Sequence, residues 1–224
     1  MAALEEKLAT LEGGRGGTVT SSGHAAETLV LFPLMAPGME VIVSNKLYGG
    51  TINLMGKSFR KFGWNAVFVD NDNPEAFRAA VTEKTRAIFV ESLANPGGVI
   101  VDLEAIAKIA QEAEVPLIVD NTMATPWLCR PFEWGADLVV HSTTKFLSGQ
   151  GNAMGGIVID SGRFPWFGNA KYPSLSEPCP DYNGLTFAET FGDMAFTLYS
   201  HAVSLRDLGC TQSPMNAWIT LNGV

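Results

Sequence analysis

The chain has 224 residues, of which 46% are hydrophobic, so it is long and apolar enough to bury a full core. Its 15 basic and 23 acidic side chains give a net charge of −8, which repels nucleic-acid backbones and anionic membrane surfaces. We therefore expect neither nucleic acid nor a membrane as a partner. Three scattered cysteines and the absence of any apolar run near the ~20 residues of a membrane span favour a cytoplasmic protein with reduced thiols.

Short apolar runs alternate with helical patterns along most of the chain. A first helix is predicted at residues 2–12, because leucines recur at helical spacing and two glycines follow. Helical patterns also span residues 74–82 and 102–114, where Asn73 and Asp102 are suitable caps. Seven strands are predicted at Val19-Thr20, Val41 to Val43, Ala66 to Val69, Ala87 to Val90, Leu117 to Val119, Leu138 to Val140 and Gly156 to Ile159.

Strands this apolar, alternating with helices, are typical of a mostly parallel sheet covered on both faces. We therefore predict the α/β class, with a seven-stranded, mostly parallel sheet flanked by helices. The N-terminal helix, residues 1–12, leads into a large domain at 13–224, in which residues 161–185 form an insert rich in proline and aromatics. We expect this insert to be a long ordered loop that packs on the body or lines a site. A helical pattern returns from Thr186 to Leu208.

Polar clusters follow four of the predicted strands, at the carboxyl ends where open α/β sheets bind ligands. They are Ser21-Ser22-Gly23-His24, Glu91-Ser92, Asp120-Asn121-Thr122 and His141 to Lys145. Ser142, Thr144 and Lys145 place two hydroxyls and an amine within four residues, which could hold a phosphate beside a nucleophile. The same residues also fit an ordinary solvated turn with a surface lysine.

At three further positions the sequence is compatible with either ligand binding or a structural role. Around Gly23, small residues could leave backbone N–H groups facing an anion, although packing alone also explains them. Asp120 needs a cation or a strong donor to offset its burial; a pyridinium nitrogen would serve, and so would capping of the following turn. Tyr48, beside Gly49 and Gly50, could stack on a planar ring or could be a core or turn residue.

Several motifs occur in one order along nearly the whole chain. They are Leu11-Glu12-Gly13-Gly14, Ser21-Ser22-Gly23, Leu47-Tyr48-Gly49-Gly50-Thr51, Glu91 to Pro96, Val119-Asp120-Asn121-Thr122, Thr125-Pro126, Gly135-Ala136-Asp137 and His141 to Lys145. Together they resemble the Cys/Met-metabolism family of pyridoxal-phosphate-dependent enzymes, which adopt the aspartate-aminotransferase-like fold called fold type I. The resemblance implies that residues 13–224 bind pyridoxal 5'-phosphate.

The resemblance also implies roles for individual residues. Lys145 would hold the cofactor covalently, Asp120 would pair with the ring nitrogen, and Tyr48 would stack on the ring and is a candidate for proton handling. The other implied cofactor-binding residues are Gly23 and His24 through backbone N–H groups, Ser142 and Thr144 through hydroxyls, Asn95 near the ring hydroxyl, and Glu91 and Thr122 in support. The family commonly has another residue type at His24, which a backbone contact tolerates. No metal site is expected, because His24, His141 and His201 lack ligand spacing and should be structural or, for His24, lie near the phosphate.

Within the family, the segment Tyr172 to Pro178 and the later segments 205–209 and 213–217 look most like O-acetylhomoserine sulfhydrylases. The implied reaction replaces the acetoxy group on the γ carbon of O-acetylhomoserine by sulfide or a thiol, giving homocysteine or methionine plus acetate. Methionine γ-lyase, a cystathionine γ-synthase type of enzyme and a truncated non-catalytic paralogue are the alternatives. A nucleotide-binding domain is set aside because the sequence holds neither GxGxxG nor GxxxxGK[ST].

The resemblance further implies an amino-acid substrate and a homodimer or homotetramer. The family's N-terminal segment and its smaller C-terminal domain have no counterpart in this sequence. We therefore expect the chain to be a fragment or a shortened form of the family enzyme.

Overall fold

The computed structural model describes residues 1–70 and 73–224. The strands are β1 (Gly16–Thr20), β2 (Glu40–Ser44), β3 (Asn65–Val69), β4 (Thr85–Glu91), β5 (Leu117–Asp120), β6 (Leu138–His141) and β7 (Gly156–Asp160). The α-helices are α1 (Ala2–Glu12), α2 (Gly23–Leu31), α3 (Gly49–Asn53), α4 (Pro74–Ala80), α5 (Leu103–Glu112), α6 (Thr125–Leu128), α7 (Pro173–Ser176), α8 (Phe187–Phe191), α9 (Ala195–Tyr199), α10 (Leu205–Leu208) and α11 (Pro214–Gly223).

The predicted fold class is confirmed. Each predicted strand is present with a few more residues, and the described strands form one seven-stranded sheet in the order β1-β7-β6-β5-β4-β2-β3. The pairs β2–β3, β2–β4 and β4–β5 are parallel, whereas the edge strand β1 pairs antiparallel with β7. The sheet is therefore mostly parallel, with a helix between each consecutive pair of strands from β1 to β6.

Burial and helix capping explain why these residues form these elements. Side chains on both faces of β2, β4 and β5 are almost fully buried, as a parallel sheet covered on two sides requires. The Asn73 side chain accepts a hydrogen bond from the N–H of Glu75 at 3.1 Å, and Asp102 accepts one from Ala105 at 3.0 Å. Both predicted caps are confirmed, and they set the starts of α4 and α5.

The helical pattern from Thr186 to Leu208 is interrupted in the structure. Helix α8 ends at Gly192, whose φ of 53° lies in the left-handed region that favours glycine. A 3₁₀ turn, helix α9, a π-helical turn at Ser200–Ser204 and helix α10 follow. The sequence pattern predicted helical content correctly and missed the breaks.

The insert at 161–185 is mostly loop, with α7 and a 3₁₀ turn at Pro180–Tyr182 inside it. Trp166 and Tyr172 are buried and meet edge to face, with ring centroids 5.2 Å apart. Trp166 also stacks on Phe196 of α9 at 5.5 Å. The expectation that the insert packs on the body is confirmed, because aromatic contacts of this kind anchor it to the helices of its own unit.

The chain divides into two compact units, residues 1–34 with 140–224 and residues 35–139. The predicted domain boundaries at 1–12, 13–224 and 161–185 stay predictions. In the described ranges, no helix is both long and apolar enough to cross a membrane.

Candidate active site

The residues singled out in the sequence fall into two sets, one in each unit. The first set, in the unit of residues 1–34 and 140–224, contains Gly23, His24, Ser142, Thr144 and Lys145. The second set, in the unit of residues 35–139, contains Tyr48, Glu91, Asn95, Asp120 and Thr122.

The first set is organised around the start of α2. Ser22 caps this helix, and its hydroxyl accepts a hydrogen bond from the N–H of Ala25 at 3.1 Å. The N–H groups of Gly23 and His24 precede that bond, at the helix end where partial positive charge accumulates. Such an end favours a phosphate or another anion.

Gly23 lies directly against Ser142, the second residue after strand β6 ends its apolar run. A Cβ atom at Gly23 would lie 2.8 Å from the Ser142 Cβ, which is closer than side chains approach one another. The absence of a side chain thus allows the helix start and the serine to meet. The structure brings these two predicted phosphate residues together.

A second glycine contact lies at the loop before α2 and was not predicted from the sequence. A Cβ at Gly156, the first residue of β7, would lie 2.1 Å from the carbonyl oxygen of Ser22. The backbones of β7 and of the loop before α2 are therefore in close contact. The available signal was the Gly155-Gly156 pair before an apolar strand, since glycine there marks close backbone approach.

Replacing Gly23 by alanine is expected to lower the affinity of the folded chain for inorganic phosphate and pyridoxal phosphate by about tenfold, because the new methyl group pushes Ser142 away from the helix start. Binding titrations at constant ionic strength would measure it. Gly49→Ala is the matched control, since its Cβ would meet nothing within 4 Å. Equal affinities for the two variants would contradict the expectation.

Lys145 sits in a tight turn that follows β6, with its side chain exposed. Its carbonyl oxygen accepts hydrogen bonds from the N–H of Gly149 at 3.2 Å and the hydroxyl of Ser148 at 3.3 Å. The Thr144 hydroxyl donates to the carbonyl of Gly155 at 3.2 Å and accepts from its N–H at 3.1 Å. Thr144 therefore anchors the turn to the residue before β7, and its predicted contact with phosphate stays a prediction.

A buried pair lies behind this turn. The Nε2 atom of His141, the residue before Ser142, is 2.5 Å from Oε1 of Glu12 at the end of α1, and neither side chain is exposed. His141 was expected to be structural, but Glu12 was not predicted as its partner. A glutamate in a helical pattern is normally solvated, so no local signal marked Glu12.

The second set is organised by the parallel pairing of β4 and β5, which places Glu91 opposite Asp120. The Asp120 Oδ1 atom accepts a hydrogen bond from the N–H of Thr122 at 2.8 Å, so this oxygen caps the following turn. Beside it, the Ser92 hydroxyl donates to Oδ1 of Asn121 at 2.7 Å. The cap and the serine–asparagine bond both hold the end of β5 in place.

Glu91 is buried and its two oxygens bind two separate loops. Oε1 accepts from the backbone N–H of Tyr48 at 2.6 Å, and Oε2 accepts from that of Asn95 at 3.0 Å. Burial raises the pKa of the Glu91 carboxyl to about 7, and the charge of Asp120 adds to this rise. The Tyr48 side chain is half exposed, as a ring available for stacking must be. The structure thus brings Tyr48, Asn95 and Asp120 together around one carboxyl.

Each set suits one part of pyridoxal phosphate. The first offers a helix start for a phosphate, with a lysine amine on the adjoining turn. The second offers the carboxyl of Asp120, the kind of group that holds a proton on a ring nitrogen. Each set, taken by itself, thus fits its own part of this cofactor, whereas within the described ranges no cluster of three metal-ligating side chains occurs.

Comparisons with known proteins show what this chain is similar to. The chain is 47% identical to an O-acetyl-L-homoserine sulfhydrylase of Leptospira meyeri over 99% of its length and 52% of the relative's. It is 41% identical to a homocysteine/cysteine synthase of Saccharomyces cerevisiae, covering 99% of this chain and 50% of the relative. A crystal structure of an O-acetylhomoserine (thiol)-lyase from Campylobacter jejuni, which contains a pyridoxyl-lysine phosphate, superposes with a TM-score of 0.95 at 38% identity, over 99% of this chain and 55% of that one.

The strand order, the covering helices and this superposition define a fold type I α/β protein. The profile of the Cys/Met metabolism PLP-dependent enzyme family matches residues 1–224, and the chain belongs to that family. It spans about half the length of the curated relatives that it matches.

Proposed function

We propose that this chain is the cofactor-binding part of an enzyme that replaces the acetoxy group of O-acetylhomoserine by sulfide or a thiol. The products would be acetate and homocysteine, or methionine when the thiol is methanethiol. The observation that carries the proposal is the Lys145 turn, which begins at Ser142, where that residue lies against Gly23 at the start of α2. The sulfhydrylase relative supports the choice of substrate.

Lys145 and the residues around α2 would do two kinds of work. The N–H groups of Gly23 and His24, with the Ser142 hydroxyl, would hold the phosphate, and Thr144 would fix the turn. Bound pyridoxal phosphate supplies an electron sink that stabilises negative charge next to the substrate amino group. The Lys145 amine would take the proton from the substrate α carbon and later return one.

The residues around Glu91 would hold the ring. Asp120 would keep a proton on the ring nitrogen, with Thr122 fixing that carboxylate through its N–H. Tyr48 would stack on the ring face, and Asn95 would approach the ring hydroxyl. In the net reaction, acetate leaves the γ carbon with the electron pair of the C–O bond, and the sulfur nucleophile forms a C–S bond there.

An assay with O-acetylhomoserine and sulfide tests the proposal. The purified chain, saturated with pyridoxal phosphate, is expected to form homocysteine and acetate in equal amounts, and only when sulfide is present. Ammonia and a 2-oxo acid formed without sulfide would instead indicate a γ-lyase. If O-acetylhomoserine is consumed neither with nor without sulfide, the non-catalytic alternative would be favoured.

Two further properties belong to the proposal. A homodimer or homotetramer is proposed because the family comparison and the general symmetry of such enzymes support it. A cytoplasmic location is proposed because the described residues contain no disulfide. Sedimentation of the chain and of its cofactor-saturated form would measure the assembly.

A further inference from the structure

Glu91 is an unusual carboxyl in this fold because it is buried yet makes its bonds to main chain. Its side chain is 4% exposed at the carboxyl end of β4. One oxygen binds the N–H of Tyr48, which is 43 residues away, and the other binds the N–H of Asn95. A single side chain therefore connects the loop before α3 with the loop after β4.

We propose that Glu91 is a positioning residue whose carboxylate fixes the backbones of Tyr48 and Asn95 together, so that its charge state tightens or loosens both loops at once. A carboxylate has two acceptor oxygens, and each of them receives one N–H. Protonation leaves one strong acceptor oxygen, so the bond to one loop is largely lost and the bond to the other loop weakens. Hydrogen bonds to an ionised acceptor are also about twice as strong as those to a neutral one.

The surroundings of Glu91 place the protonation of its carboxylate within the physiological pH range. The pKa of Glu91 is raised to about 7, first by burial and then by the charge of Asp120 on the neighbouring strand. The loop that Glu91 binds carries Lys46 and Tyr48, and β2, on the other side of β4, ends in Ser44, which does not titrate. The two loops should accordingly be held together above pH 7 and loosened below it.

An effect of Glu91 on pyridoxal phosphate binding rests on the proposed function. The hold of Glu91 on the backbones of Tyr48 and Asn95 does not, so the chain without cofactor provides the first test. The amide resonances of Tyr48 and Asn95 are followed by NMR between pH 5 and pH 9 in a ¹⁵N-labelled chain. Both are expected to shift with one common midpoint near pH 7 and to lose this inflection in Glu91→Gln. The Thr82 amide, whose acceptor is the Thr85 hydroxyl, is the control and should not titrate.

Two variants distinguish this proposal from a local effect of Asp120. In Asp120→Asn the shared midpoint should fall, because a like charge has been removed, while the two amides still move together. Glu91→Asp shortens the side chain by one carbon, so the two amides should no longer share a midpoint. Separate midpoints in the unaltered chain, or an inflection that persists in Glu91→Gln, would overturn the proposal.

Cofactor affinity gives the second test. A glutamine has one acceptor oxygen and so resembles the protonated glutamate at every pH. Glu91→Gln and the unaltered chain are expected to bind pyridoxal phosphate alike at pH 6, whereas at pH 8 the unaltered chain binds at least about threefold more tightly. A ratio that stays constant with pH would contradict the coupling. A chain that binds no cofactor would count against the proposed function, and the NMR titration would still decide the role of Glu91.

Discussion

Replacing Lys145 by alanine is expected to abolish covalent attachment of pyridoxal phosphate to the chain. The amine is the group that would join to the cofactor aldehyde, and its loss leaves no nucleophile at that position of the turn. Turnover, where the assay detects it, should fall by about 10²–10⁴-fold or more, because the same amine would also move the α proton. Borohydride reduction followed by mass spectrometry measures the attachment directly, as pyridoxyl phosphate fixed on a peptide that contains residue 145.

The fold should tolerate this change, since the Lys145 side chain is exposed and only its main chain is bound within the turn. Circular dichroism of Lys145→Ala should match the unaltered chain. Lys108→Ala is the matched control, because Lys108 is an exposed lysine paired with Glu104 on α5. Trapping that persists in Lys145→Ala, or that disappears in Lys108→Ala, would refute the assignment of the lysine.

Removing the His141 side chain is expected to produce the largest loss of stability among single changes near the site. Alanine at 141 would leave the Glu12 carboxyl without the histidine that it meets in the core, where neither side chain is exposed. Breaking a buried pair by removing one partner costs about 3–5 kcal/mol. Urea denaturation, followed by far-UV circular dichroism, would give the change in the free energy of unfolding.

The exposed pair between Lys108 and Glu104 provides the comparison for His141→Ala. Its loss in Lys108→Ala should cost about 0.3–0.5 kcal/mol, as surface pairs at this helical spacing do. Glu12→Gln keeps a hydrogen-bonding side chain of the same size and should be less damaging than His141→Ala. If His141→Ala cost no more than Lys108→Ala, the buried pair would have no role in holding the turn after β6.

Local patterns predicted the described strands and several of the helices. Apolar runs of strand length predicted all seven strands, because a strand buried on both faces needs apolar residues at consecutive positions. Asn73 and Asp102 were predicted as caps because they precede helical patterns, and both accept the expected N–H. The breaks between residues 186 and 208 were missed, since one glycine in a helical pattern does not reveal a positive φ.

Polar residues at strand ends were predicted from the same patterns, but the contacts between them were not. Glu91, Asp120 and Lys145 were singled out because each follows an apolar run. Whether the Asp120 carboxylate capped a turn could not be chosen from the sequence, and the structure shows that one of its oxygens does so.

Contacts between distant segments required the folded chain. Glu12 and His141 are 129 residues apart, and Glu91 meets Tyr48 across 43 residues. Hydrophobic periodicity and capping describe what a segment does with its near neighbours, so they carry no information on which strands become adjacent. The order of the sheet sets that adjacency, and with it the burial that raises the pKa of Glu91 and the close approach that leaves room only for glycine at position 23.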